Sequence, residues 1–159
     1  MNDLEKKVDA VMRLCVSEDA RDRAQIREEI RQYLLHFDPG KMDPELEIRR
    51  ILLELGAPDH LVGHPYVIRA VLLVMEDRMY INQITMRLYP KLAAEFDTTA
   101  ARVERAIRHL IEVTWFRGDL DILEKYFGNT ISASRGKPTN GEFIARMANV
   151  VKGNVQKAA

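Results

Sequence analysis

Apolar side chains recur at three- and four-residue spacing along most of the chain. Leu4, Val8, Val11, Met12 and Cys15 form one stripe, and Ile26, Ile30, Tyr33, Leu34 and Phe37 form a second. A period near 3.6 puts each set on one helix face, so residues 1 to 42 read as an amphipathic helical hairpin. Ser17, followed by Glu18 and Asp19, supplies an N-cap with acidic groups at the positive end of the helix dipole. Two such helices cannot bury both stripes by themselves and need the rest of the chain or a second copy to pack against. The stretch Phe37 to Pro44 holds two prolines and a glycine, which break a continuing helix and mark a boundary near residue 42.

The second part, residues 43 to 159, opens with a cap and first-turn pair, Asp43 and Pro44. The stripe Ile48, Ile51, Leu52, Leu55 follows and stops at Gly56 and Pro58. Pro65 is predicted to start a helix through Met79, rich in apolar residues (Val67, Ala70, Val71, Val74, Met75) and therefore central. A further helix spans Gln83 to Phe96, with a kink or restart at Pro90, which lacks a backbone donor. Asp97, Thr98 and Thr99 are N-cap types, and a long helix runs from them to Arg117, where Gly118 ends it. A short helix at Asp119 to Phe127, the turn-rich run GNTISASRGKPTN and a last helix from Thr139 to Val151 complete the chain. Only Thr130 to Ser132 offers a short extended possibility, so the predicted fold is all-α.

Composition narrows the function classes without choosing one. The 159 residues suffice for one ordinary domain with an appendage, and 47% hydrophobic with 30% charged residues is a globular balance. No run approaches the ~18 to 20 apolar residues of a membrane span, and the start alternates charges where a signal peptide would be apolar. A soluble cytoplasmic chain is expected. Its single cysteine, Cys15, forms no internal disulfide and sits on an apolar stripe, where it reads as packing. Lys plus Arg number 24 and Asp plus Glu number 24. Residues 1 to 45 hold 8 basic and 11 acidic side chains, leaving 16 and 13 for the remainder, so the zero average hides an acidic appendage and a mildly basic body.

The stretch Ile84 to Trp115 orders a helix, a short turn and a longer helix as a helix-turn-helix does. At 100° per residue, Val103, Ala106, Ile107, Leu110 and Thr114 share one side of the long helix. Ala101, Arg105, Arg108 and Glu112 lie opposite, flanked by Arg102, Glu104 and His109. A small residue at the start, then arginine forks and a histidine, suits a major groove. An ordinary solvated face, with Glu104 and Arg108 as a stabilising i,i+4 pair, is the alternative the pattern leaves open.

The runs TTAARVERAIRHLIEVTW, ITMRLYPKLAAEF, LGAPDHLVGHPY and PTNGEFIA resemble the C-terminal effector domain of the sporulation initiation regulator (stage-zero sporulation protein A) family, over Ile48 to Val151. The resemblance implies a compact six-helix domain whose helix-turn-helix binds a short double-stranded promoter element, often as a tandem pair, and regulates transcription. It makes Glu104 and Arg105 base-reading residues, acting on a cytosine amino group and on guanine O6 and N7. Arg102, Arg108 and His109 then contact phosphates or groove walls, and Lys137 lies near the DNA backbone. Asp119 to Arg135, with Asp119, Asp121, Glu124, Lys125 and Arg135, matches the part that faces an RNA polymerase sigma subunit. Three departures stand out. Ala101 replaces a serine able to bond a phosphate, and Gly141 replaces a serine expected to cap the last helix. The N-terminal hairpin stands where the family's full-length proteins carry a phosphoacceptor receiver, so control by aspartyl phosphorylation is not expected. A homodimer or a tandem dimer on DNA is expected, and the alternative function is a protein-interaction module that keeps the fold and modulates a full-length regulator through the hairpin.

Other constellations carry less. His60 and His64 are four apart, but Gly63 and Pro65 argue against a regular helix through them and no further ligands lie nearby, so no metal is expected. His36 reads as a helix-end histidine, and Trp115 and Phe116 as core or partner contacts. No glycine-rich phosphate loop or catalytic constellation is present, so neither enzyme nor cofactor is expected.

Overall fold

The structure, a computed structural model, describes residues 3–12, 20–36, 42–128 and 136–158. All ten described elements are helical, and the described residues contain no strand. They group into two compact units, Met1–Lys41 and Met42–Ala159. The predicted cap at Ser17, the packing of Cys15, the break at Pro39 and Gly40 and the extended possibility at Thr130 to Ser132 lie outside the described residues.

The first unit is a hairpin of α1 (Asp3–Met12) and α2 (Ala20–His36). Val8 and Met12 of α1 are buried, while Ile26, Ile30 and Leu34 of α2 are half-buried and Leu35 is exposed. Arg27 pairs with Asp9, and Arg31 with Glu5 at 2.7 Å, which ties the two helices along one edge, while Arg31 also pairs within α2 with Glu28 at 2.9 Å.

In the second unit α3 (Pro44–Glu54) begins as its sequence dictates. The Asp43 carboxylate accepts from the Glu45 N–H at 3.0 Å, and Pro44 occupies the first turn, where no donor is needed. The chain reverses after Leu55 through Gly56, whose φ of 76° is the left-handed conformation glycine adopts at no cost. The apolar helix α4 (Gly63–Glu76) is central, packing on α3, on α7 (Ala100–Arg117) and on α9 (Asn140–Ala158). It starts at Gly63, two residues before the predicted Pro65, because proline is tolerated anywhere in a first turn whose N–H groups have no intrahelical acceptor. It stops at Glu76, earlier than the predicted Met79, as Asp77 turns extended and α5 (Met79–Asn82) makes a separate single turn.

A π-helical turn, Ile84–Leu88, then runs directly into α6 (Tyr89–Glu95), with Pro90 in the first turn of the new helix. The predicted restart is thus achieved by widening the turn before the proline. Helix α8 (Leu120–Phe127) follows α7 closely. At the connection, a β-carbon on Gly118 would lie 2.7 Å from the Thr114 carbonyl oxygen and 3.0 Å from that of Leu55. Helix α9 runs to Ala158, two turns past the predicted end at Val151. In this mostly polar tail only Val155, four residues after the buried Val151, packs against the core. Asn154 holds the tail through a 2.7 Å bond to the buried Glu47 of α3.

The core joins Ile48, Ile51, Leu52 and Leu55 to Val67, Val71 and Val74, and these to Val103, Ile107, Leu110 and Ile111. An aromatic group closes one end. Phe127 stacks on Phe143 with centroids 5.1 Å apart, and Trp115 meets Phe127 edge-on at 5.1 Å, which makes Trp115 a core contact, while Phe116 is 90% exposed.

A polar network adds to this packing. Glu54 of α3 accepts from Lys125 at 2.8 Å, from the Tyr126 hydroxyl at 2.7 Å and from Arg50 at 2.9 Å. The hydrogen bond from Lys125, then that from Tyr126, lowers the Glu54 carboxyl from its ordinary 4.5 to about 2. A depressed carboxylate pKa stabilises the folded state above the unfolded value and loses that contribution as pH falls toward the folded one. Urea unfolding from neutral pH down to about pH 3 should therefore show stability falling below pH about 4.5. Glu54→Gln should be less stable than the parent at neutral pH and should show a flatter decline. An unchanged pH slope in that variant would contradict the role assigned to Glu54.

Candidate nucleic-acid interface

Helices α6 and α7 and the turn between them form the helix-turn-helix. Tyr89, Leu92 and Ala93 of α6 and Val103, Ile107 and Leu110 of α7 are buried. The turn is built by Asp97, the single non-glycine residue at positive φ (49°) among the described residues. Aspartate tolerates this conformation better than most residues. It lets the Thr98 N–H bond the Ala93 carbonyl at 2.9 Å, which satisfies an orphan acceptor at the end of α6. Thr99 then caps α7, its hydroxyl accepting from the Arg102 N–H at 3.3 Å.

On α7 the predicted inner face is buried at Val103, Ile107, Leu110 and Thr114, together with Ile111, whereas Ala106 is half-buried. Ala106 lies where α4 approaches α7 closely. A β-carbon on Gly63 would lie 2.2 Å from the Ala106 carbonyl oxygen and 3.1 Å from the Leu110 β-carbon, so the α4 backbone rests directly on α7. On the outer face Ala101, Arg102, Glu104, Arg105 and His109 are exposed and Arg108 is half-buried.

The Glu104–Arg108 pair that an ordinary solvated face would carry does not form. Arg108 reaches the Pro138 carbonyl at 3.4 Å instead, since residues preceding α9 lie along this side of α7. Lys137 pairs with Glu112 at 3.2 Å, and Asn140 donates to the Glu104 carbonyl at 3.1 Å and to the Tyr89 hydroxyl at 3.0 Å. Glu104, Arg108 and Glu112 form one i, i+4, i+8 row, so the segment 137–140 straps α7 in antiparallel order, one tie per turn. Arg105 folds back on its own helix, its Nε donating to the Ala101 carbonyl at 3.3 Å. Among the described residues Arg102, Glu104, Arg105 and His109 belong to no ion pair.

The start of α9 corrects another expectation. Gly141 does not leave the helix uncapped, because the cap is Thr139. Its hydroxyl accepts from the Glu142 N–H at 3.2 Å, and the Glu142 carboxylate accepts from the Thr139 N–H at 2.8 Å. This is a capping box, written in the sequence as T-x-x-E.

The family model described as "Sporulation initiation factor Spo0A C terminal" matches residues 48–151, more than half of the chain. The chain belongs to this family. Its second unit is accordingly a DNA-binding effector domain of the sporulation regulator type, and the family is a regulatory rather than an enzyme family. The matched region holds α4 to α8 whole, including both helices of the helix-turn-helix, and most of α3 and α9.

Of the residues expected to face a sigma subunit, Asp119, Asp121, Glu124 and Lys125 belong to α8 and its cap rather than to α7. Asp119 caps α8, its carboxylate accepting from the Asp121 N–H at 2.8 Å and the Ile122 N–H at 3.4 Å. Lys125 is engaged with Glu54 of α3, while Asp121 and Glu124 are exposed. Arg135 lies outside the described residues. His60 is exposed and lies before α4, while His64 is buried in the first turn of that helix, so no regular helix runs through the two, as expected. Burial pushes its imidazole pKa down. Among the described residues no three His, Cys, Asp or Glu side chains are grouped to hold a metal, and no helix is long and apolar enough to cross a membrane.

Proposed function

We propose that this chain is a transcription regulator that reads the major groove of a double-stranded promoter element with the N-terminal half of α7. The observation that carries the reading is the outer face of that helix. Arg102, Glu104, Arg105 and His109 are solvent-exposed and, among the described residues, outside any ion pair, on a helix whose opposite face is buried. Glutamate accepts from the cytosine amino group, and the arginine fork donates to guanine O6 and N7. Arg105 gives up only one 3.3 Å bond to its own helix to reach a base. The exposed Ala101 permits close approach at the helix start, at the expense of a phosphate-bonding hydroxyl.

The test is titration of a labelled duplex carrying the family's promoter element, against a scrambled duplex, at two salt concentrations. Tighter binding of the promoter element at both salts is expected. Equal affinity at every salt would contradict the reading.

Lys137 supplies a sequence-independent contact in this account, and its Glu112 partner competes with phosphate for it. Lys137→Ala should weaken all duplexes alike and reduce the slope of log affinity against log salt by about one. Glu112→Gln should act oppositely, strengthening promoter and scrambled duplexes together. A Lys137→Ala effect confined to the promoter duplex would show that the residue reads sequence instead.

A further inference from the structure

Asn140 is 93% buried at the start of α9, a setting in which an unpaired polar atom is costly. Its amide nitrogen makes both of its bonds, to the Glu104 carbonyl on α7 and the Tyr89 hydroxyl on α6. Its Oδ1 has no partner among the described residues. An apolar side chain would avoid that cost, so the amide contributes direction rather than burial. Its two bonds connect both helices of the helix-turn-helix to α9, and the α7 anchor is the backbone of Glu104, adjacent to Arg105. The Thr139–Glu142 capping box fixes the backbone on either side, so the amide is presented from a rigid helix start.

We propose that Asn140 is a positioning residue for DNA recognition: it touches no DNA, and sets the azimuth and depth of the first two turns of α7 by clamping Glu104 to Tyr89. The inference rests on the DNA-reading role proposed for α7, and it deepens that role by adding a determinant outside the helix-turn-helix. Glu104 and Arg105 discriminate bases only when their Cα positions are held, because bidentate hydrogen bonds weaken steeply with misalignment. Loss of the clamp should therefore reduce discrimination without removing a phosphate contact.

The experiment compares the whole chain with Asn140→Ala and Tyr89→Phe at a temperature where thermal melts show each to be folded. Affinity for promoter and scrambled duplexes is measured over a salt series, and amide hydrogen exchange is followed along α7. For Asn140→Ala the ratio of promoter to scrambled affinity should fall about tenfold, with scrambled affinity and salt slope unchanged. Amides from Arg105 to Arg108 should exchange faster, while those of Leu110 and Ile111 keep their protection. Tyr89→Phe, which keeps the ring and loses one tie, should lower the ratio by about threefold, and it carries the test if Asn140→Ala does not fold. In a background carrying both Glu104→Ala and Arg105→Ala, Asn140→Ala should add no further loss of discrimination, since the two groups it positions are gone.

A folded Asn140→Ala protein with lower melting temperature but wild-type discrimination and wild-type exchange in α7 would overturn the inference and reduce Asn140 to a packing role. Failure of the underlying DNA reading is distinguishable. In that event the wild type itself does not prefer the promoter duplex, and the clamp is judged on hydrogen exchange alone. Faster exchange at Arg105 to Arg108 supports it, and unchanged exchange overturns it.

Discussion

Gly63→Ala is expected to lower the unfolding free energy by about 2 to 3 kcal/mol, with a fall in melting temperature of roughly 10 °C. The new methyl carbon would sit 2.2 Å from the Ala106 carbonyl oxygen and 2.8 Å from its carbonyl carbon. These are backbone atoms of a continuous helix, so no side-chain rotation relieves the clash, and α4 must move away from α7. That movement opens the core at Val67, Val71, Ile107 and Leu110, all fully buried. Gly153→Ala provides the comparison. Gly153 also lies in a helix, but its added carbon meets nothing within 4 Å, so alanine there should be neutral or stabilising by up to about 1 kcal/mol through helix propensity. Urea melts of the two variants give the answer directly. A Gly63→Ala cost below about 0.5 kcal/mol would mean that α4 and α7 are not in backbone contact.

The second large effect concerns recognition. Arg105→Ala should weaken binding to the preferred duplex by about 1 to 3 kcal/mol and relax discrimination at one base pair, while binding to scrambled sequence changes far less. Arg105 is exposed and held only by one weak bond to the Ala101 carbonyl, so its removal should leave folding stability within about 0.5 kcal/mol of the parent. Arg105→Lys separates charge from geometry. A lysine keeps the cation but lacks the planar fork, so it should restore scrambled-duplex affinity and not discrimination. Equal losses on preferred and scrambled duplexes for Arg105→Ala would turn Arg105 into a phosphate contact.

The two faces of α7 were legible in the sequence because a helix that is half core and half solvent repeats its apolar residues every 3.6 positions. Val103, Ile107, Leu110 and Thr114 lie on the buried side as that period requires. The restart at Pro90 was legible for an equally local reason, the missing N–H. Non-local partners were not. Arg108 has Glu104 four residues away, yet it turns to the carbonyl of Pro138, thirty residues along the chain. Glu54 meets Lys125 and Tyr126 across separations of 71 and 72 residues, which no periodicity records. The last two turns of α9 are held by Asn154 reaching Glu47 and by Val155 packing on the core, a single apolar residue past Val151 among polar ones, so the predicted helix stopped too soon.

Two misreadings had signals that were present. The capping box at Thr139 and Glu142 satisfies the start of α9, so substitution at Gly141 removes nothing from the cap. Pro65 in the third position of α4 fits a helix that begins at Gly63, and His64 is consequently buried in that first turn. Asn140 is the functional candidate that residue type alone could not single out. Its significance lies in the simultaneous approach of Tyr89 and Glu104, which belong to different helices.

The central claim is that the outer face of α7 reads base sequence, and selection from a library of randomised duplexes tests it most directly. Repeated rounds of capture by the wild-type chain should converge on a short consensus containing a G·C pair, and the same selection with Arg105→Ala should lose that pair while retaining the flanking positions. Wild-type rounds that enrich no consensus, or an Arg105→Ala consensus identical to the wild type, would contradict it.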